Sequence, residues 1–163
     1  MKALTLIRPW CWAICHAGKD VENRGWPPPE RVIGSRIAIH SGLKFSESAA
    51  GAIDGIAGPA DEVGAWAPTR DAEWPGGRIV CTVRVEGWVE RPDEHGPLLD
   101  WAGLPRDEAV KAVRSPWFVG PIAWVLRDVI VLRDSVPCRG AQGLWNLPAD
   151  VLERVESVAG RCT

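Results

Sequence analysis

The apolar positions of this chain switch repeatedly between strand-like and helix-like spacing. Ala3–Ile7 is a short run of β-formers. Arg8-Pro9-Trp10 then places proline where a helix begins, and apolar Trp12, Ala13, Ile14 and Ala17 follow before Gly18. This predicts a strand and then a helix of about three turns closed by glycine. Asp20–Arg24 reads as a short strand and Pro27-Pro28-Pro29 as a rigid loop, because proline can occupy neither a helix interior nor a central strand. A strand resumes over Ser35–Ser41. Ser46–Gly58 is alanine-rich, with Ile53 and Ile56 at a helical offset and Ser-Glu-Ser near its start, and predicts a helix. Gly64–Gly77 reads as a loop. Arg78–Glu90 alternates Ile79, Cys81, Val83 and Val85 with more polar or smaller residues, the signature of a long half-buried strand. After the turn-rich Pro92–Pro105, Pro105–Val113 predicts a helix opened by proline and acids. Pro121–Arg133 reads as one bent strand or two, and Val136–Leu147 as a last short strand with a glycine-linked turn. Ala149–Ala159 is an amphipathic helix carrying Val151, Leu152, Val155 and Val158.

Strands separated by helices of uneven length, with β-rich stretches near the centre and end, predict an α+β domain built round a small barrel. The 163 residues, 46% of them hydrophobic, suffice for one core, so a single domain over 1–163 is expected. No glycine-rich phosphate loop follows the first strand and no Gly-x-Ser-x-Gly elbow is present, which removes support for nucleotide-triphosphate, dinucleotide and α/β-hydrolase folds. The first apolar run is broken by Arg8, Pro9 and His16, unlike a signal peptide or a membrane span. Five cysteines at irregular spacing argue against a disulfide framework, and a cytoplasmic protein is expected. Cys11, Cys15 and His16 lack the second clustered pair of a zinc site, so neither metal nor cofactor is expected.

Charge adds a local feature. The net charge of −2 does not suit a general polyanion binder, yet residues 1–44 carry seven basic and three acidic side chains, net +4, against −6 for the remainder. A basic face on an acidic protein suits a selective phosphate contact. Within that segment Lys19, Glu22 and Arg24 combine an ammonium, a carboxylate and a guanidinium. Strand alternation puts Glu22 and Arg24 on one face, and a turn at Gly18 is needed to bring Lys19 to them. Arg24 can grip a phosphate, Glu22 can accept from an exocyclic amine or act as base, and Lys19 can bind phosphate or, if desolvated, act as nucleophile. The competing reading is a structural salt-bridge network.

The chain has ten tryptophans and no tyrosine. Most suit the core, while Trp10 and Trp26 are candidates for walls that stack a base. Asn23 belongs to the same candidate ligand set. His40, Ser41 and Lys44 follow on the next strand, with a core role the alternative for His40. Arg8 and Ser41 are donors for the same mouth, and Gln142 and Trp145 for its opposite lip, although Gln142 is equally suited to capping a turn.

The order of "TLIRPWCWAICHAGKDVENRGW", "RIAIHSG", "GRIVCTVRVEGW" and "PCRGAQGLW" resembles the ASCH domain of the PUA-like superfamily, over residues 1–148, with the helix at 149–160 beyond it. It is most similar to small stand-alone bacterial and human ASCH proteins. The resemblance implies a five- to six-stranded β-barrel with helices at its openings and a cleft beside the first helix. It also implies binding of RNA, single-stranded nucleic acid or a modified nucleoside; no membrane partner is expected, given the broken apolar run above. Some relatives hydrolyse N4-acylated cytidine or cleave RNA, which would make Lys19 and Glu22 catalytic, and others associate with protein partners. In the amidohydrolase branch a threonine follows the lysine by three residues, where this chain has Glu22; Arg84 stands near the expected distant glutamate, with Glu86 two residues on. The leading expectation is a nucleic-acid-binding module with a basic, tryptophan-lined cleft. The rival classes are a hydrolase and a protein-interaction module.

Overall fold

A computed structural model describes residues 1–57, 74–91 and 100–160. The elements are β1 (Lys2–Arg8), α1 (Trp10–His16), β2 (Val21–Arg24), a single 3-10 turn (Glu30–Val32), β3 (Arg36–Phe45), α2 (Glu47–Ala57), β4 (Arg78–Glu90), β5 (Trp101–Ala102), α3 (Arg106–Val113), β6 (Ile122–Pro137), β7 (Leu144–Asn146) and α4 (Ala149–Ala159). The hydrogen-bonded strand order is β2-β6-β4-β3-β1-β7, with β5 added to β4. The fold is α+β as expected, but the expected barrel closure is absent: β2 and β7 end the path, and no pairing joins them among the described residues. The predicted loop at 64–77 and turns at 92–105 lie partly outside the described residues. None of the described helices is long and apolar enough to cross a membrane.

The chain divides into two compact units, and β4 and β6 contribute residues to both. The first comprises the described residues of Met1–Gly18, Ile37–Val83 and Val129–Thr163. Its centre is the parallel pairing of β1 with β3, in the register Ala3↔Ala38, Leu4↔Ile39, Thr5↔His40 and Leu6↔Ser41, while β7 runs antiparallel to β1 with Ala3↔Trp145. Because side chains alternate between faces, Ala3, Thr5, Ala38, His40 and Trp145 share one face. At its Ala3/Ala38 end this face belongs to a core with Ile79, Leu132, Val136, Leu147 and, from α4, Val151 and Val155. Burial of each α4 valine stabilises by about 1.5–3 kcal/mol. The opposite face carries Leu4, Leu6, Ile37 and Ile39, all buried, and α1 packs on β1 and on α2. The local signals behave as the sequence suggests. Ser46 Oγ accepts from Ala49 N–H at 3.2 Å at the start of α2, and Gly18 follows α1 at φ +66°. Two lengths differ: α1 has seven residues instead of about three turns, and the strand expected over Ser35–Ser41 runs on to Phe45.

The second unit comprises the described residues of Lys19–Arg36 and Arg84–Asp128. Here β2 pairs antiparallel with the start of β6, with Val21↔Val125 and Glu22↔Trp124. Val85 exchanges backbone hydrogen bonds with Gly34 and Ser35 at 2.7 and 3.0 Å. The stretch expected as one bent strand or two is one strand of sixteen residues, with Asp128 at φ 49° interrupting its regular geometry.

Candidate functional site

The Thr5↔His40 pair lies one alternation beyond the Ala3/Ala38 pair. There the same face opens into a cavity of ≈ 480 Å³ lined by Thr5, His40, Gly42, Leu43, Cys138 and Gly140, with Arg139 and Gln142 also on its wall. Every lining residue belongs to the first unit. The loop 138–142 is held at its start by the Cys138 N–H, which donates to the Gly77 carbonyl at 2.9 Å. Trp145 stands edge-on to His40, with ring centroids 5.8 Å apart at 77°, and its indole N–H donates to Thr5 Oγ1 at 3.1 Å. That bond contributes about 1 kcal/mol and fixes the floor.

His40 is the polar centre of the cavity. It is 2% exposed, and its Nε2 lies 3.0 Å from the Cys138 carbonyl oxygen. A carbonyl can only accept, so Nε2 carries the proton and Nδ1 is left with its lone pair. Burial pushes the imidazole below the ordinary histidine value, against a smaller opposing effect of the Cys138 carbonyl, and this favours the neutral ring. Nδ1 has no hydrogen-bond partner among the described residues. Arg139 and Gln142 are exposed, and Leu43 is 79% exposed. The rim therefore offers a guanidinium, an amide and an aliphatic surface, around a buried acceptor.

Other predicted residues of the first unit serve its architecture. Arg8, 4% exposed, donates through Nη1 to the Trp74 carbonyl at 2.8 Å and through Nη2 to the Leu43 carbonyl. Ser41 is fully buried and donates to the Pro75 carbonyl at 3.0 Å. Trp10 is half-buried at the first position of α1, and Lys44 is exposed on β3.

The second unit holds the other predicted cluster. Lys19, 2% exposed, donates to the Val21 carbonyl and to Glu22 Oε2 at 2.9 Å, and Glu22 Oε1 lies 3.3 Å from Arg24 Nη2. The turn at Gly18 does bring Lys19 to Glu22, and alternation does put Glu22 and Arg24 together. Asn23 is a clamp: its Oδ1 accepts from the N–H groups of Val119 and Gly120 at 3.0 and 2.9 Å, and its Nδ2 donates to the Trp117 carbonyl at 2.8 Å. Trp26, 37% exposed, stacks edge-on with Trp124 at 4.8 Å. Arg84 pairs with Glu86 at 3.1 Å and with Asp128 at 3.0 Å.

Of the predicted ligand set, the structure thus brings His40, Gln142 and Trp145 together in one unit, and Lys19, Glu22, Asn23, Arg24 and Trp26 fall in the other. Thr5, Cys138, Arg139 and Gly140 are functional candidates that the pattern did not reveal. The usable signal was register: Thr5 lies opposite His40, and Cys138 begins the glycine-containing loop. Among the described residues no three His, Cys, Asp or Glu side chains gather where they could hold a metal ion.

No family model matches the chain, and no curated protein matches it. A solved structure does: the crystal structure of ASCH from Zymomonas mobilis is 16% identical, with a TM-score of 0.50, over 96% of this chain and 94% of that one. This similarity, together with the strand and helix order above, shows that the chain has an ASCH-type fold.

Proposed function

We propose that the chain is a nucleic-acid-binding module that takes one nucleotide of a single-stranded RNA into the Thr5/His40 cavity. The observation that carries this is the pairing of a buried, unpartnered His40 acceptor with an exposed Arg139 on the same cavity wall. A cavity of ≈ 480 Å³ has the size usual for small-ligand sites. Its largely apolar wall and glycine-rich backbone suit a flat ring, the Arg139 guanidinium suits a phosphate, and Leu43 offers an aliphatic surface to the sugar or a neighbouring base. Fold alone assigns no activity, so the cavity carries the proposal.

The expected basic, tryptophan-lined cleft is thereby narrowed. Trp145 serves as the buttress behind His40, and the lysine–glutamate–arginine chain of the second unit serves as an internal ion-pair network. In that role Glu22 holds Lys19 as a paired ammonium, which does not favour nucleophilic use of the lysine.

The test is fluorescence anisotropy of a labelled single-stranded RNA across a salt series, with wild type and Arg139→Ala. One lost phosphate contact lowers the slope of log affinity against log salt by about 0.7. The expected result is salt-dependent binding with a shallower slope for the variant. Absence of RNA binding, or an affinity and slope untouched by Arg139→Ala, refutes the proposal.

A further inference from the structure

We infer that His40 Nδ1 reads the exocyclic amino group of a nucleobase seated in the cavity, so that the site takes cytosine or adenine in preference to uracil. This rests on the nucleotide-binding role proposed above.

Gly140 supplies one part of the argument. Its backbone does not lie in the left-handed region, so glycine is not needed there for conformation. Space is the reason: a Cβ at this position would stand 2.7 Å from His40 Nδ1 and 3.0 Å from Thr5 Oγ1, and would press on His40 Cε1. Any larger residue would press on the His40 ring and the Thr5 hydroxyl. The glycine lets the loop lie against a ring that is 2% exposed, and Nδ1 of this cavity-wall residue is left buried and without a partner among the described residues.

The direction of the hydrogen bond supplies the other part. The Nε2–H bond to the Cys138 carbonyl fixes the tautomer, so Nδ1 accepts and the ligand must donate. A donor is required in a space flanked by Gly140 and the Thr5–Trp145 pair. An exocyclic amino group projects beyond its ring and reaches such an acceptor. The imino N–H of uracil is set back between two carbonyl oxygens, whose lone pairs would face that of Nδ1. An acceptor left buried without its donor is costly, and this is how a polar site rejects a ring that lacks the matching group.

The experiment uses the full chain and short labelled RNAs of cytosine, adenine, uracil and N4,N4-dimethylcytosine. Cytosine and adenine strands are expected to bind at least about tenfold more tightly than uracil, with the dimethylated strand falling to the uracil level. His40→Asn, which keeps an acceptor near the Nδ1 position, retains the preference; His40→Gln, which reaches toward Cys138 instead, loses it. In wild type labelled with 15N-histidine, cytidine monophosphate shifts the His40 Nδ1 resonance, a readout that does not depend on either variant folding. Equal binding of all four strands, or an Nδ1 resonance unmoved at saturation, overturns the inference while leaving RNA binding in place. Failure of every strand to bind overturns the nucleic-acid reading as well.

Discussion

Substituting Gly140 by alanine puts one methyl group into the cavity against the His40 ring. The added carbon would lie 2.7 Å from Nδ1 and 3.0 Å from Thr5 Oγ1, closer than ordinary van der Waals contact, so the ring or the 138–142 loop must move. Overpacking of this kind costs about 1–3 kcal/mol, and alanine recovers about 0.4–1 kcal/mol by restricting the unfolded chain. The net loss is about 1–2 kcal/mol, or a fall in Tm of roughly 2–8 °C for a chain of this size. Gly143, directly after that loop, is the control. It has φ +65° with nothing within 4 Å of an added Cβ, so Gly143→Ala costs about 1 kcal/mol or more through backbone strain and leaves the His40 ring untouched. Thermal unfolding and RNA anisotropy on both variants separate the effects. Both are less stable, and Gly140→Ala alone loses its preference for cytosine strands. A Gly140→Ala protein with wild-type stability and preference, or a Gly143→Ala protein with the same loss of preference, refutes the reasoning.

Asn23→Ala removes three hydrogen bonds within the second unit and is expected to cost about 2–3 kcal/mol in urea unfolding without changing RNA affinity; a selective loss of affinity would return Asn23 to the ligand set. Glu22→Gln leaves the Lys19 ammonium, 2% exposed, without its carboxylate, and a loss of about 3–5 kcal/mol by the same measurement is expected. A change below 1 kcal/mol would contradict the ion-pair role. Folding depresses the His40 imidazole, so the unfolded chain takes up the proton first as pH falls. This residue's stability is therefore fully present above about pH 6.5 and is lost as pH drops through that value to the lower folded one. His16 is shifted in the same direction by burial, so the His40 share is read as the difference between wild type and His40→Asn. Affinity for cytosine strands should fall only as pH drops through the lower folded value, because protonated Nδ1 no longer accepts, and affinity rising on acidification would contradict the assignment.

Much of the local structure was legible because it depends on single residues. Proline opens α1 and α3 at Pro9 and Pro105, and Ser46 caps α2. The Lys19–Glu22–Arg24 association followed from strand alternation and one glycine turn. What stayed hidden depends on partners distant in sequence. Barrel closure is a matter of whether the terminal strands pair, and no residue pattern in β2 or β7 encodes that. Thr5 read as an ordinary β-former until its register placed it opposite His40, 35 positions away. Gly140 read as part of a turn, whereas its neighbours are the ring and hydroxyl of residues from two other strands. Asn23 read as a ligand donor because its clamp on residues 117–120 cannot be seen from its own strand.

The most direct test of the functional claim is a two-dimensional 15N amide titration of the full chain with a short single-stranded cytosine RNA. Nucleotide binding in the Thr5/His40 cavity predicts saturable shifts concentrated at Thr5, His40, Leu43 and the 138–142 loop. Shifts concentrated instead at residues 22–26, or a spectrum unchanged by the RNA, would contradict it.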